Sequence, residues 1–194
     1  MPKILNRSFY ERDSCLVAKE LLGTQLVRQL REETLRGKIV EVEAYYGKDD
    51  PASHASTEGK TNRNRIMWTK PGTAYVYLIY GVHHLFNVVT EPEGEAGAVL
   101  IRAVEPLAGA EKMTELRDLK KGKGLTDGPG KLTQALKITD EYNGWDLTEG
   151  NRLWLERGER GEAKIRRSGR IGISRGEELK YRFFLEGNPF LSNN

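Results

Sequence analysis

Cysteine and long apolar runs are nearly missing from this sequence. Cys15 is the only cysteine among 194 residues, which excludes an intrachain disulfide and a zinc site built on several cysteines. A chain of this kind is expected in a reducing compartment. No stretch has the pattern of a signal peptide or of a transmembrane segment. These absences predict a cytoplasmic protein, associated with the nucleoid if the source is bacterial, that has no membrane partner.

Histidine is scarce as well, with three residues in the whole chain. His83 and His84 are adjacent, so on a strand they point to opposite faces and cannot bind one ion together. His54 is distant in sequence, and the spacing of a helical two-histidine zinc motif is absent. We therefore predict no metal site, and we expect no cofactor.

Charge is nearly balanced overall but grouped locally. The formal net charge is +3, which alone does not indicate a nucleic-acid partner. The basic residues gather in three stretches that could share one face of the protein. These are Lys60, Arg63, Arg65 and Lys70; Lys120, Lys121 and Lys123; and Lys164, Arg166, Arg167 and Arg170.

Apolar periodicity and turn residues predict an α+β fold. We expect a single domain over residues 1–194, with a curved, mostly antiparallel β-sheet (a roll or partial barrel), flanking α-helices and a protruding β-hairpin. The segment 47–69 has no period and is expected to be a functional or disordered loop. Helices are predicted over 14–22, 106–119 and 132–138, and strands over 24–30, 37–46, 97–104, 152–157, 163–167 and 179–185.

The hairpin is predicted over residues 70–90. β-forming residues alternate up to Tyr80, the dipeptide Tyr80-Gly81 breaks the run, and a second apolar run follows. This pattern places Tyr80 at or near an exposed tip. A large aromatic side chain in that position costs solvation free energy unless a partner covers it.

Two acids in one strand are the first candidates for chemistry. Glu41 and Glu43 alternate with apolar residues, where acids are disfavoured. They could line a solvated face, but Arg102 lies in an equally apolar strand and needs an anion. Pairing Arg102 with either glutamate satisfies both groups and keeps the acid ionised, and an ionised glutamate can serve as a general base.

Tyrosines and histidines surround these acids in sequence. Tyr75 is expected to pack in the core, whereas the remaining tyrosines could wall a pocket for a flat π-system such as a nucleobase. The glycine-rich segment 122–131 leads into a helix with Lys131 in its first turn. It could hold a backbone phosphate, or it could be a plain turn.

Seven segments of the chain, in order, match a family pattern. They are IVEVEAY (39–45), RNRIM (63–67), KPGTAYVYLIYG (70–81), VLIRAVEPL (99–107), GPGKLTQAL (128–136), RIGI (170–173) and RFFLEGNPF (182–190), with His54 and Asn87 between them. Together they resemble the alkyladenine DNA glycosylases, the 3-methyladenine DNA glycosylases of the mammalian type. The resemblance covers nearly the whole chain.

The resemblance implies a monofunctional DNA glycosylase. Such an enzyme acts as a monomer on double-stranded DNA with damaged purines, turning alkylated or deaminated bases out of the helix in base excision repair. The resemblance implies that Glu43, and not Glu41, is the general base and that Arg102 is its partner. The other roles are a base pocket of Tyr45, His54, Tyr77 and Asn87, intercalation by Tyr80, and backbone contacts by Arg63, Arg65, Lys70, His83 and Lys131.

Two other functions remain open from the sequence. Lys70 could form a Schiff base in a bifunctional glycosylase/lyase. Alternatively, a non-catalytic nucleic-acid-binding module of similar fold would need only the basic stretches. The chain also departs from the family pattern at Tyr46 and at Val82-His83. The resemblance therefore says least about the DNA contacts beside Tyr80.

Overall fold

The computed structural model describes residues 3–119, 124–159 and 161–192. The basic stretch Lys120, Lys121 and Lys123 lies outside the described residues. The helices are α1 (Arg7–Tyr10), α2 (Ser14–Leu21), α3 (His54–Glu58), α4 (Ala110–Leu116) and α5 (Pro129–Ala135). The strands are β1 (Gln25–Gln29), β2 (Thr34–Tyr46), β3 (Ala74–Ile79), β4 (His83–Val89), β5 (Gly97–Ala108), β6 (Leu153–Glu156), β7 (Ile165–Ser168) and β8 (Arg182–Leu185).

The eight strands form one curled antiparallel sheet in which β2 is the central element. Its path runs β3-β4-β5-β2-β1-β6, while β8 joins β2 and β7 joins β8. One edge of β2 pairs with β5 along most of its length. The other edge pairs first with β1 and then with β8. The register shifts on either side of Glu41, and irregularities of this kind bend a strand.

The core lies between this sheet and the helices. Helix α2 packs on β2 and β5, and α5 packs on β4 and β5. Val40, Val42 and Ala44 belong to this core, as their alternation predicts. None of the helices in the described part of the chain is long and apolar enough to cross a membrane.

The predicted fold class is confirmed, and the predicted strands are correct to within about four residues. The helix predicted over 106–119 is wrong at its start, because β5 continues to Ala108 before the shorter α4 begins. Pro106 is accommodated in that strand opposite Gly37, beside a register shift, where a missing N–H is tolerated.

Two further expectations need correction. The helix predicted over 132–138 begins earlier, at Pro129, because proline suits the first helical position. The segment 47–69 is not without structure, since it contains α3 and a 3₁₀ turn at Arg65–Trp68.

Replacing Ile101 tests the β2–β5 core. Its side chain is fully buried in the middle of β5, so Ile101→Ala should lower the free energy of unfolding by about 2–5 kcal/mol. Leu107→Ala is the matched control, because Leu107 lies on the same strand and is 48% exposed. Urea denaturation measures both values, and equal values for the two variants would contradict this assignment of the core.

Candidate active site

A cavity of about 690 Å³ opens beside the hairpin, within the size range of small-molecule sites. The ends of β2 and β5, both hairpin strands, the segment 51–57 and the segment 171–175 form its walls. Most of the predicted site residues meet there: Tyr45, His54, Tyr77, Tyr80, His83, Asn87 and Arg102.

Glu43 is fully buried directly behind this wall. Its Oε2 accepts hydrogen bonds from the Tyr45 hydroxyl at 2.9 Å and from Arg102 Nη1 at 3.2 Å. Its Oε1 accepts one from the Ile171 N–H at 2.7 Å. All three donors belong to residues that line the cavity, so the carboxylate lies directly behind the cavity lining.

Glu41 is a different kind of carboxylate, although it is buried as completely. Its Oε1 accepts from Arg102 Nε at 3.0 Å, Arg182 Nε at 2.8 Å and the Ser192 hydroxyl at 2.6 Å. Its Oε2 accepts from the Ser192 N–H at 2.6 Å. Oε1 is saturated, and neither Glu41 nor Arg182 lines the cavity. The expected pairing of Arg102 with a glutamate is therefore present with both acids, and Glu41 holds Arg102 in place.

Aromatic side chains form the rest of the cavity wall. The His54 and Tyr77 rings meet edge to face, with 5.2 Å between centroids, and Tyr75 lies 5.0 Å from Tyr77. Tyr75 is buried, as expected, but it also reaches the cavity. Asn87 is buried, and its amide donates to the Tyr75 carbonyl at 3.1 Å, which fixes its orientation.

Burial keeps these polar groups uncharged. It raises the pKa of Tyr77 to about 12 and that of Tyr45 well above its usual range, where the neighbouring Glu43 adds to the effect. It lowers the pKa of His54, and the positive charge of Arg63 lowers it further. At neutral pH the cavity therefore presents a neutral imidazole between phenols.

The hairpin tip holds Tyr80 in a strained and exposed position. Tyr80 is 87% exposed and has a φ of 52°, and Gly81 follows with a φ of 70°. A left-handed backbone costs a non-glycine residue about 1–3 kcal/mol, and such strain concentrates at functional sites. Leu78 and Val82 are also exposed, so the tip presents an apolar projection to solvent beside the cavity.

The predicted backbone-binding residues have varied surroundings. Arg65, Lys70 and His83 are exposed. Arg63 is exposed too, and its guanidinium lies 4.9 Å from the Tyr77 centroid. Lys131 forms an ion pair with Asp127 at 2.8 Å.

Three parts of the site were not predicted from the sequence. Arg170 counted as one cation of a basic stretch, but its side chain is fully buried and bound to Asp50. No element was predicted for the segment 171–175, although it forms one cavity wall and supplies the Ile171 N–H. Gly130 at α5 also lines the cavity. The available signals were the pattern matches of GPGKLTQAL and RIGI, to which no cavity role was assigned.

The fold and the site together define a class of protein. A curled antiparallel sheet carries a buried carboxylate–arginine pair behind an aromatic cavity, and a strained tyrosine projects beside that cavity. This construction suits an enzyme that binds a flat aromatic group in a cavity and acts on it with a carboxylate.

The chain belongs to the methylpurine-DNA glycosylase family, whose model matches residues 8–189. It is 49% identical over 199 residues to a protein of Clostridium tetani, covering 97% of this chain and 98% of the relative. It is 50% identical over 190 residues to a protein of Carboxydothermus hydrogenoformans, with the same coverage. Both relatives are provisionally named as 3-methyladenine DNA glycosylases. The resemblance stated above is confirmed, and so is the prediction of a DNA-repair enzyme.

The protonation state of His54 can be measured directly. The His54 pKa should lie below the ordinary value of 6.5, and Arg63→Gln should raise it because a nearby positive charge is removed. With three histidines in the chain, an NMR titration resolves the residue, and Arg65→Gln is the control. An Arg63→Gln variant with an unchanged His54 pKa would contradict the electrostatic part of this description.

Proposed function

We propose that this chain is a monofunctional glycosylase that turns alkylated (3-methyladenine-like) or deaminated purines out of duplex DNA and hydrolyses the N-glycosidic bond. Its product in base excision repair is an abasic site in an uncut strand. The observation that carries the proposal is the buried Glu43–Arg102 pair behind an aromatic cavity with Tyr80 at its edge. The names of the relatives supply the class of lesion.

Base flipping is the first step, because the N-glycosidic bond is inaccessible inside a duplex. In this proposal Tyr80 stacks in the gap that the flipped nucleotide leaves, as apolar wedges do in minor-groove binders. The 87% exposure of Tyr80 at the hairpin tip supports this role. Arg63, Arg65, Lys70, His83 and Lys131 would contact the backbone of a duplex bound by one protein monomer.

The flipped base would lie among Tyr45, His54 and Tyr77. A purine alkylated at N3 or N7 is cationic, and each aromatic face attracts it by about 0.5–2 kcal/mol. Arg170 and Arg63 already lie over the Tyr45 and Tyr77 rings, which places their contribution toward the low end of that range. A neutral His54 adds no repulsion. The fixed amide of Asn87 would exclude the 2-amino group of guanine.

Hydrolysis is assigned to Glu43. Its Oε1 accepts only the Ile171 N–H among the described residues, which leaves a lone pair for water. Glu43 would take a proton from that water as it attacks C1′, and its charge would stabilise the oxocarbenium-like sugar. Arg102 orients the carboxylate through Nη1, while Glu41 holds Arg102 through Nε.

The two rival functions fit the site less well. Lys70 is exposed before β3 and does not line the cavity, so it is poorly placed for a Schiff base at C1′. A non-catalytic binding module would have no use for a desolvated carboxylate behind a cavity, because burying an ion costs several kcal/mol.

Glu43→Gln tests the base. It keeps the volume and removes the proton acceptor, so release of 3-methyladenine from alkylated duplex should fall by about 10²–10⁴-fold. Binding of a hypoxanthine duplex should persist. Glu32→Gln is the control, with unchanged release, because Glu32 is exposed and does not line the cavity. Borohydride should trap no adduct with the wild type. Full release by Glu43→Gln would refute this mechanism. So would an adduct that borohydride traps with the wild type and that disappears in Lys70→Gln.

Tyr80→Ala tests the wedge separately from the chemistry. Loss of one stacking ring should weaken binding to abasic-site duplex by about 1–3 kcal/mol, measured by fluorescence anisotropy. Leu107→Ala, which removes exposed apolar surface elsewhere, should bind as the wild type does. Equal affinities for all three proteins would exclude intercalation by Tyr80.

A further inference from the structure

A buried ion pair outside the cavity lining joins two segments of the cavity wall. Arg170 Nη1 and Nη2 donate to the two carboxylate oxygens of Asp50 at 2.7 and 2.6 Å. The two side chains are 0% and 1% exposed. Asp50 directly precedes the wall segment 51–57, and Arg170 directly precedes the wall segment 171–175.

Backbone groups complete this Asp50–Arg170 clasp. The Asp50 carboxylate also accepts from the Tyr46 N–H at 3.0 Å and the Ala52 N–H at 3.1 Å. Arg170 Nη1 also donates to the Ala44 carbonyl at 3.0 Å. A two-bond arginine–carboxylate pair fixes direction as well as distance, so the clasp sets how the end of β2 meets both wall segments.

A second contact shows how closely the two wall segments approach. At Gly176, which has a φ of 66°, an added Cβ would lie 2.9 Å from Pro51 Cγ. The chain after the second wall segment therefore approaches Pro51 closely beside the clasp, because the same Cβ would lie 3.4 Å from Arg170 Nη2. A change in the clasp is expected to alter the separation of the two segments.

The clasp reaches Glu43 by two routes. The Arg170 guanidinium lies 4.6 Å from the centroid of the Tyr45 ring, and the Tyr45 hydroxyl donates to Glu43 Oε2. The next residue, Ile171, donates its N–H to Glu43 Oε1. Two of the three donors that orient the carboxylate thus depend on the position of Arg170, which itself does not line the cavity.

We propose that Asp50 and Arg170 are positioning residues for base excision, which hold the Tyr45 hydroxyl and the Ile171 N–H against Glu43. This inference rests on the proposed function. In this proposal the clasp affects the chemical step, whereas the hairpin binds the duplex at the gap left by the flipped nucleotide. A purely structural pair would behave differently, because its loss would change stability without changing the reaction of the folded enzyme.

The test compares Arg170→Lys, Arg170→Met and Asp50→Asn with the wild type. Single-turnover excision is measured with saturating enzyme on alkylated duplex and on a duplex with one hypoxanthine, well below each melting temperature. Misplacement by about 1 Å can cost 10²-fold in rate, so we expect a loss of about 10- to 100-fold with the dissociation constant for abasic-site duplex unchanged. Arg170→Lys should retain more activity than Arg170→Met, because lysine keeps the charge and one contact to Asp50.

Arg36→Lys is the matched control. Arg36 forms an ion pair with the buried Glu156 at the opposite end of β2, and neither residue lines the cavity. Its loss should lower the melting temperature while leaving the excision rate at the wild-type value.

The outcomes separate the two proposals. Wild-type excision rates in folded Arg170→Met and Asp50→Asn would overturn the positioning role. An equal fall in excision rate and abasic-site affinity would also overturn it, because that result indicates general disruption. If the wild type itself released no base from either duplex, the result would contradict the proposed function as well as the positioning role of the clasp.

Discussion

Charge compensation at the centre of the sheet is the constraint on which the rest of the structure depends. Glu41 and Glu43 are both fully buried on β2, and Arg102 from β5 bonds to both. Arg182 from β8 supplies the second positive charge. Because breaking a buried pair costs about 3–5 kcal/mol, β5 and β8 have to meet β2 at this place.

The two neighbouring acids have different hydrogen-bonding roles in this network. Glu41 has a saturated Oε1 and anchors Arg102, whereas Glu43 keeps acceptor capacity on the side that faces the cavity residues. The acids are two positions apart on one strand, so a single stretch of backbone sets both. The aromatic walls come from loops and the hairpin, which surround the rigid pair. The sheet thus holds the two buried acids, while separate segments form the cavity wall around them.

Much of this arrangement could be predicted from the sequence, because local signals and the global fold agree. The alternation around Glu43 predicted a strand. The charge of Arg102 within an apolar strand predicted its pairing with a glutamate. Tyr80-Gly81 predicted the tip. What failed depended on long-range contacts. Pro106 continues a strand because Gly37 and a register shift accommodate it, and the burial of Arg170 depends on Asp50, 120 residues earlier. No local pattern distinguishes a buried arginine of this kind from a surface one.

The large sequence separation between Glu41 and its partners also affects folding during synthesis. Glu41 depends on Arg182, 141 residues later, and on Ser192, 151 residues later. During synthesis the central strand emerges long before either partner, so a nascent chain has two acids to bury and only Arg102 to compensate them. Native closure of the sheet around β2 must await translation of the segment that carries β8 and Ser192. The same distant contacts that desolvate the carboxylates therefore also keep an incomplete chain from acquiring the finished site.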